Sequence, residues 1–182
     1  NRPNSTSKAS DLNARVYFAN VTSTDKYIGQ VIETLDSLGL DENTLVIFTS
    51  DHGEMLGSHG RMQKNCEYEE SFGVPLIMRY KGVLKHKTDD LLIGTTDLYP
   101  TFLGLMGLKH LIPKEVAGTN YADIIKNPKA GSVSRPRSTP FISIEGNKKG
   151  LRTNNYTFAV DGNGTVTLFN NLSDPYQQTN LS

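Results

Sequence analysis

The chain has a single cysteine, Cys66, among 182 residues, which excludes an internal disulfide framework and a site built from several thiolates. It also lacks a bias of charge, with Lys plus Arg and Asp plus Glu each totalling 19 and a formal net charge of zero. Without a basic footprint or a polybasic run, the sequence gives no support to a nucleic-acid partner or a membrane-surface protein. No apolar run approaches the roughly 18 residues that would form a membrane-spanning segment. Asn1 to Asp11 contain no initiator Met and no basic-then-apolar leader, and they read as the middle of a longer chain. Hydrophobic residues make up 36%, low for a compact domain but spread too evenly for a disordered one. Asn-x-Ser/Thr triplets at Asn20, Asn155, Asn163 and Asn171, among others, are expected by chance in an Asn-rich chain and carry no weight.

What is present is a succession of periodic segments. Tyr17, Val21, Ile28, Val31, Ile32, Leu35 and Leu38 recur at three- and four-residue spacing and predict a helix over roughly Val16 to Leu38. Gly39 follows where a left-handed cap is easy, and Leu40 can fold back on the last turn. Leu45 to Thr49 is a short apolar, β-branched run suited to a strand buried on both faces. Helix, tight loop and buried strand together predict a parallel α/β sheet. Val74 to Tyr80 predicts another strand with Pro75 near its start, and Thr96 to Leu108 a second amphipathic helix with Asp97 as an early-helix or capping carboxylate. Lys109 to Arg137 is richer in Pro, Gly and Lys and reads in part as a junction. Beyond it, Phe141 to Glu145 alternates, and Leu151 to Val160, Asp161 to Gly164 and Thr165 to Phe169 form a hairpin signal. The last third is therefore expected to be a small antiparallel sheet.

Asp51 and His52 follow the Leu45–Thr49 strand directly. Ligands of open α/β sheets collect beyond the carboxyl ends of the strands. An adjacent Asp-His pair there can offer a carboxylate oxygen and an imidazole nitrogen to one divalent cation, and Gly53 would let the backbone turn sharply enough to aim both. Spacing alone leaves a second reading open, in which Asp51 caps a helix beginning near Glu54 and His52 is a surface residue.

The run from Thr44 through Ser50-Asp51-His52-Gly53-Glu54-Met55-Leu56-Gly57-Ser58-His59-Gly60 closely resembles the second signature block of sulfatases, within the alkaline phosphatase superfamily. The resemblance continues through Lys64, Tyr68 to Ser71, Val74 to Ile77 and Thr96 to Thr101, and ends on Leu168 to Gln177. It implies that Asp51 and His52 are metal ligands, His52 occupying a position that is Asn in many sulfatases and His in others and in phosphonate monoester hydrolases. It implies that Lys64 binds sulfate ester oxygens, a task suited to a compact cation. Calcium is the expected metal; an imidazole ligand shifts such a site toward manganese, iron or zinc. His59 could reach the substrate mouth, and a loop-fixing role is the plainer reading. Glu69, Glu70, Arg79 and Arg152 read as structural.

The resemblance also defines what is missing. Sulfatases attack with a formylglycine made within Cys/Ser-x-Pro-x-Arg, and no such motif occurs; Cys66 is followed by Glu67-Tyr68-Glu69 and reads as a buried thiol. The family's upstream acidic metal ligands and substrate His and Lys are absent too. The expected architecture is α/β: a truncated alkaline-phosphatase-like core with a partial mixed or parallel sheet flanked by helices, carrying half of the metal site over residues 1–113, then a small α+β subdomain over 114–182. The expected function is hydrolysis of a sulfated small molecule or glycan by a longer enzyme. The missing N-terminal portion is then this chain's partner, and the isolated chain is inactive. The alternatives are a phosphodiesterase or phosphonate monoester hydrolase of the same superfamily, or a non-catalytic sulfatase-like binding module. A periplasmic, secreted or lysosomal setting is consistent with the family.

Overall fold

The helix predicted from Val16 begins earlier than its apolar stripe. In the computed structural model, which describes residues 2–5, 11–129, 133–143 and 147–182, α1 runs Asp11–Ser37. Its end is closed as Gly39 predicts: Gly39 takes φ 67° and the Leu40 N–H reaches the Leu35 carbonyl at 3.1 Å. No residue from 12 to 37 is buried. Of the stripe itself, Tyr17, Val21, Val31 and Leu38 are 40–67% exposed and Ile28, Ile32 and Leu35 are half-buried, so within this chain the stripe is largely uncovered.

The chain divides into two compact units, Asn1–Lys81 with Tyr176–Gln178, and Gly82–Pro175 with Thr179–Ser182. In the first, β1 (Val46–Thr49) pairs with β2 (Leu76–Arg79), Val46 opposite Arg79 and Thr49 opposite Leu76. This pairing is antiparallel, and the described residues contain no parallel pair, which corrects the parallel or mixed sheet expected from the helix–loop–strand order. The reason lies in the connection. A parallel return needs a crossover that carries the chain back to the strand's starting end. Residues 50–75 instead form a long loop with one helical turn, α2 (Glu69–Phe72), so the chain re-enters at Leu76 beside the end it left. Neither strand has a buried residue; among the described residues of this unit the buried side chains are Asn4, Met55, Ser58, Cys66, Glu67, Ser71 and Gln177. Its interior is thus built around the loop and not around the sheet. Arg79 holds α1 and the following turn to β2 through Asp36 at 2.7 Å and Asp41 at 3.4 Å.

In the second unit, α3 (Thr95–Leu105) packs beside α4 (Ala122–Lys126), burying Leu105, Tyr121, Ile124 and Ile125. Pro100 sits within α3 and is buried. Asp97 does cap its own helix: one carboxylate oxygen accepts the Gly94 N–H at 3.0 Å, and the other accepts the Thr119 N–H at 2.8 Å. A four-stranded antiparallel meander follows: β3 (Thr139–Ser143), β4 (Lys148–Arg152), β5 (Tyr156–Val160) and β6 (Val166–Asn170). The Leu151–Val160 run is split between β4 and β5 by a turn at Thr153, whose hydroxyl accepts the Asn155 and Tyr156 N–H groups at 3.2 and 2.8 Å. The hairpin at Asp161–Gly164 forms as expected, with Gly164 at φ 83° and Asp161 accepting the Asn163 and Thr165 N–H groups. Ile144 and Glu145, the end of the expected alternating strand, and residues 130–132 of the expected junction lie outside the described residues.

Candidate functional site

β1 ends at Thr49, and the next residues turn on their own side chains. The Ser50 hydroxyl donates to the His52 carbonyl at 2.8 Å, and the His52 N–H donates to Asp51 Oδ1 at 3.0 Å. The Asp51 side chain is 82% exposed, pointing away from the packed loop. What small burial it has disfavours the charged form. The His52 ring, the His52 N–H and the Ser50 hydroxyl outweigh that and hold the carboxyl below the usual carboxylate range. His52 Nδ1 lies 2.8 Å from the Gly53 carbonyl, which can only accept, so Nδ1 carries the proton. Nε2 is then the outward atom, 3.3 Å from Asp51 Oδ2.

This arrangement suits a divalent cation in kind. Metal-bound imidazoles commonly donate their second nitrogen to a backbone carbonyl, which fixes the tautomer and aims the other nitrogen. An ionised oxygen and an imidazole nitrogen converge here from adjacent residues. They are two donors and no more: among the described residues, no group of three or more His, Cys, Asp or Glu side chains could hold a metal ion.

No helix begins near Glu54, so Asp51 is not a helix cap; residues 53–68 form an irregular loop. Gly53 does not take a positive φ, and the sharp-turn explanation for it is replaced by another. Its N–H donates to the Ser71 carbonyl at 2.7 Å, and a Cβ at this position would meet the Glu70 carbonyl oxygen at 2.0 Å. The glycine is required by close approach to α2.

Lys64 lies on the far limb of the same loop. Gln63 at φ 70° and Asn65 at φ 74° flank it, both left-handed non-glycine residues, as are Leu56 at φ 44° and His59 at φ 52°. Two cross-links tie the limb that follows His52 to the limb that carries Lys64. The Met55 N–H donates to the Gln63 carbonyl at 2.7 Å, and Glu54 Oε1 accepts the Leu56 and Gln63 N–H groups at 3.1 and 2.7 Å. Asp51, His52 and Lys64 are therefore carried by one laced segment.

His59 is held on every side. Its ring stacks on Tyr68 with centroids 3.7 Å apart and planes 10° from parallel, its Nε2 lies 3.0 Å from Asn4 Nδ2, and its N–H donates to the Asn4 carbonyl. Asn4 Nδ2 also donates to Glu70 Oε1 at 2.7 Å and to the Tyr176 carbonyl at 3.0 Å, and the Glu69 N–H donates to Gln177 Oε1 at 2.8 Å. Asn4 and Glu54 are absent from the expected site residues because neither belongs to a chemical pattern of its own. Only the lacing of the loop reveals them. Cys66 is 3% exposed and burial pushes its thiol up, the opposite of an activated nucleophile.

Comparison with known proteins bears on the same segment. The sulfatase family profile matches residues 2–108. An endo-4-O-sulfatase of Bacteroides thetaiotaomicron is 39% identical over 188 aligned residues, covering 92% of this chain and 37% of that protein. An ulvan-active sulfatase of Formosa agariphila is 38% identical, covering 91% and 34%. A solved Bacteroides thetaiotaomicron structure, described in connection with glycosaminoglycan metabolism, superposes with a TM-score of 0.90 at 38% identity, covering all of this chain and 42% of that one. The chain thus spans well under half the length of the relatives it matches, and no helix among its described residues is long and apolar enough to cross a membrane. With its signature loop, its fold and these relatives in agreement, the chain belongs to the sulfatase family.

Proposed function

We propose that these residues form one part of an enzyme that hydrolyses sulfate esters of a glycan, with Asp51 and His52 as cation ligands and Lys64 as the ester-binding cation. The observation that carries the reading is the paired presentation of Asp51 and His52 at the end of β1: an ionised, outward carboxylate beside an imidazole whose Nδ1 is committed to the Gly53 carbonyl. A glycan substrate is favoured because the relatives are named for 4-O-sulfate and ulvan substrates. No Cys/Ser-x-Pro-x-Arg occurs in the 182 residues, so the formylglycine nucleophile and the remaining metal ligands come from outside this chain, and the chain alone is inactive.

When bound, a divalent cation, calcium on the family resemblance, supplies positive charge where negative charge develops on the sulfuryl oxygens. The chain's own residues do the rest of this half of the work. Asp51 is held ionised, and His52 presents Nε2 on the side of the ring away from the Gly53 carbonyl. Lys64 offers a strongly localised charge to ester oxygens, which carry more negative charge in the transition state than in the ground state.

The test is turnover of the full-length protein on a 4-O-sulfated oligosaccharide, an aryl sulfate and an aryl phosphonate, with Asp51→Ala and Lys64→Ala variants. The sulfate esters should be turned over far faster than the phosphonate. Each variant should lower kcat/KM by about 100-fold or more, the scale of losing one charged transition-state contact. Normal turnover by both variants would overturn the assignment, and preference for the phosphonate would move the protein to the phosphonate monoester hydrolases.

A further inference from the structure

We propose that Glu54 is a positioning residue for Lys64, an inference that rests on the role given to Lys64 above. Lys64 stands between two residues in the left-handed region, Gln63 and Asn65. Side chains with a Cβ rarely adopt that region, and such backbone persists only where its surroundings over-determine it. At Gln63 they do. Its N–H donates to Glu54 Oε1 at 2.7 Å and its carbonyl accepts the Met55 N–H at 2.7 Å, so both polar atoms of the residue before Lys64 are fixed to consecutive residues of the opposite limb. Met55 is fully buried, which makes that limb an immobile reference. The same Glu54 oxygen accepts the Leu56 N–H at 3.1 Å, so one atom is held by its own limb while it holds the limb carrying Lys64.

Glu54 itself touches no reacting group in this account. What it supplies is an acceptor oxygen at a fixed point, carried two residues beyond His52 and bonded to the N–H of Gln63, the residue before Lys64. Removing it frees the Gln63 N–H and lets the strained backbone relax, and the Lys64 stem moves with it. Displacement of a charged group by about 1 Å is enough to cost on the order of 100-fold in rate. The need is for an acceptor and not for a charge, so a glutamine, whose Oε1 accepts in the same way, fills the role.

The experiment is a double-mutant cycle in the full-length enzyme on a sulfate ester substrate, with Glu54→Ala, Glu54→Gln, Lys64→Ala and the Glu54→Ala/Lys64→Ala pair, each checked by thermal melting. Expected are a loss in kcat of about 10- to 100-fold for E54A, recovery to within about threefold of the parent for E54Q, and a change of less than about twofold when E54A is added to K64A. Multiplying losses in the double variant, an unchanged E54A, or an E54Q as impaired as E54A would each overturn the positioning role. An unimpaired K64A would instead overturn the reading of Lys64 on which it rests, and this outcome is read from that single variant alone. Where E54A does not fold, Glu54→Asp, with its oxygens drawn back by one methylene, should show a partial loss that again disappears in the K64A background; an additive loss overturns the role.

Discussion

Gly53 shows how little room the loop leaves around the Asp51-His52 pair. A methyl group there would lie 2.0 Å from the Glu70 carbonyl oxygen and 2.9 Å from its carbon, and both belong to backbone that cannot swing aside as a side chain tip would. Gly53→Ala is therefore expected to destabilise the protein by about 1–3 kcal/mol, the range for forcing a group into filled space, read as a lower urea midpoint at unchanged m-value. Activity should fall with it, because the clash displaces the residue next to His52. The sequence makes Asp51, His52 and Lys64 visible as chemistry-bearing types in a familiar order. It makes Gly53 visible too, but for the wrong reason, since a glycine needed for positive φ and one needed for contact look alike until the partner at Glu70 is known. Glu54 and Asn4 could not be recognised in advance, because the bonds that give them a role reach Gln63, 9 positions from Glu54, and Glu70, 66 positions from Asn4.

At the level of elements, periodicity was informative where one face of a segment is buried within the chain. The β5–β6 hairpin follows the expected pattern, whereas α3 buries Leu105 together with Pro100, Thr101 and Gly104 and leaves Met106 exposed; the break at Thr153 was hidden because Thr-Asn-Asn reads equally well as strand continuation. Strand direction was not legible: two short strands of similar composition give the same signal whether the chain between them crosses over or doubles back. The segment before α3 carries a testable electrostatic feature. Asp89 bonds Arg135 at 2.6 Å and Lys87 at 2.8 Å. Partial burial alone would raise the Asp89 carboxyl, but Arg135, Lys87 and the Leu91 N–H prevail and hold it at about 2, against 3.8 for an ordinary Asp. A carboxyl depressed on folding contributes stability that is complete above the unfolded value and is lost as pH falls from 3.8 toward about 2. The contribution is about 1–2 kcal/mol after allowance for the exposed side of Arg135. Urea denaturation at pH 5 and pH 2.5 should therefore show a smaller acid-induced loss for Asp89→Asn than for the parent, and equal losses would remove Asp89 from the account.

For the molecule as a whole, the exposed stripe of α1 matters most. A 27-residue helix without one buried side chain from 12 to 37 gains little of its stability from the described residues of this chain, since most helical stability in proteins comes from packing an apolar face. Phe48 of β1 and Ile77 of β2 are exposed as well, at 39% and 61%. The 182 residues produced alone are expected to self-associate, as contiguous exposed apolar surface does. Sedimentation velocity should give species larger than monomer at micromolar concentration, and co-production with the remainder of the enzyme should abolish them. A monodisperse monomer that binds no hydrophobic dye would refute this.

The return of Tyr176–Gln178 to the first unit imposes an order on how the protein can be made. Asn4 and Glu69 find acceptors on Tyr176 and Gln177, and Gln177 is 1% exposed, so Tyr176 and Gln177 pack against the loop that begins at Asp51. A ribosome extends the chain at about 5–20 residues per second. The loop therefore waits several seconds, with its inner donors still wet, until the closing residues emerge. The loop that carries Asp51, His52 and Lys64 therefore becomes rigid only once residues 108 positions beyond Glu69 have emerged.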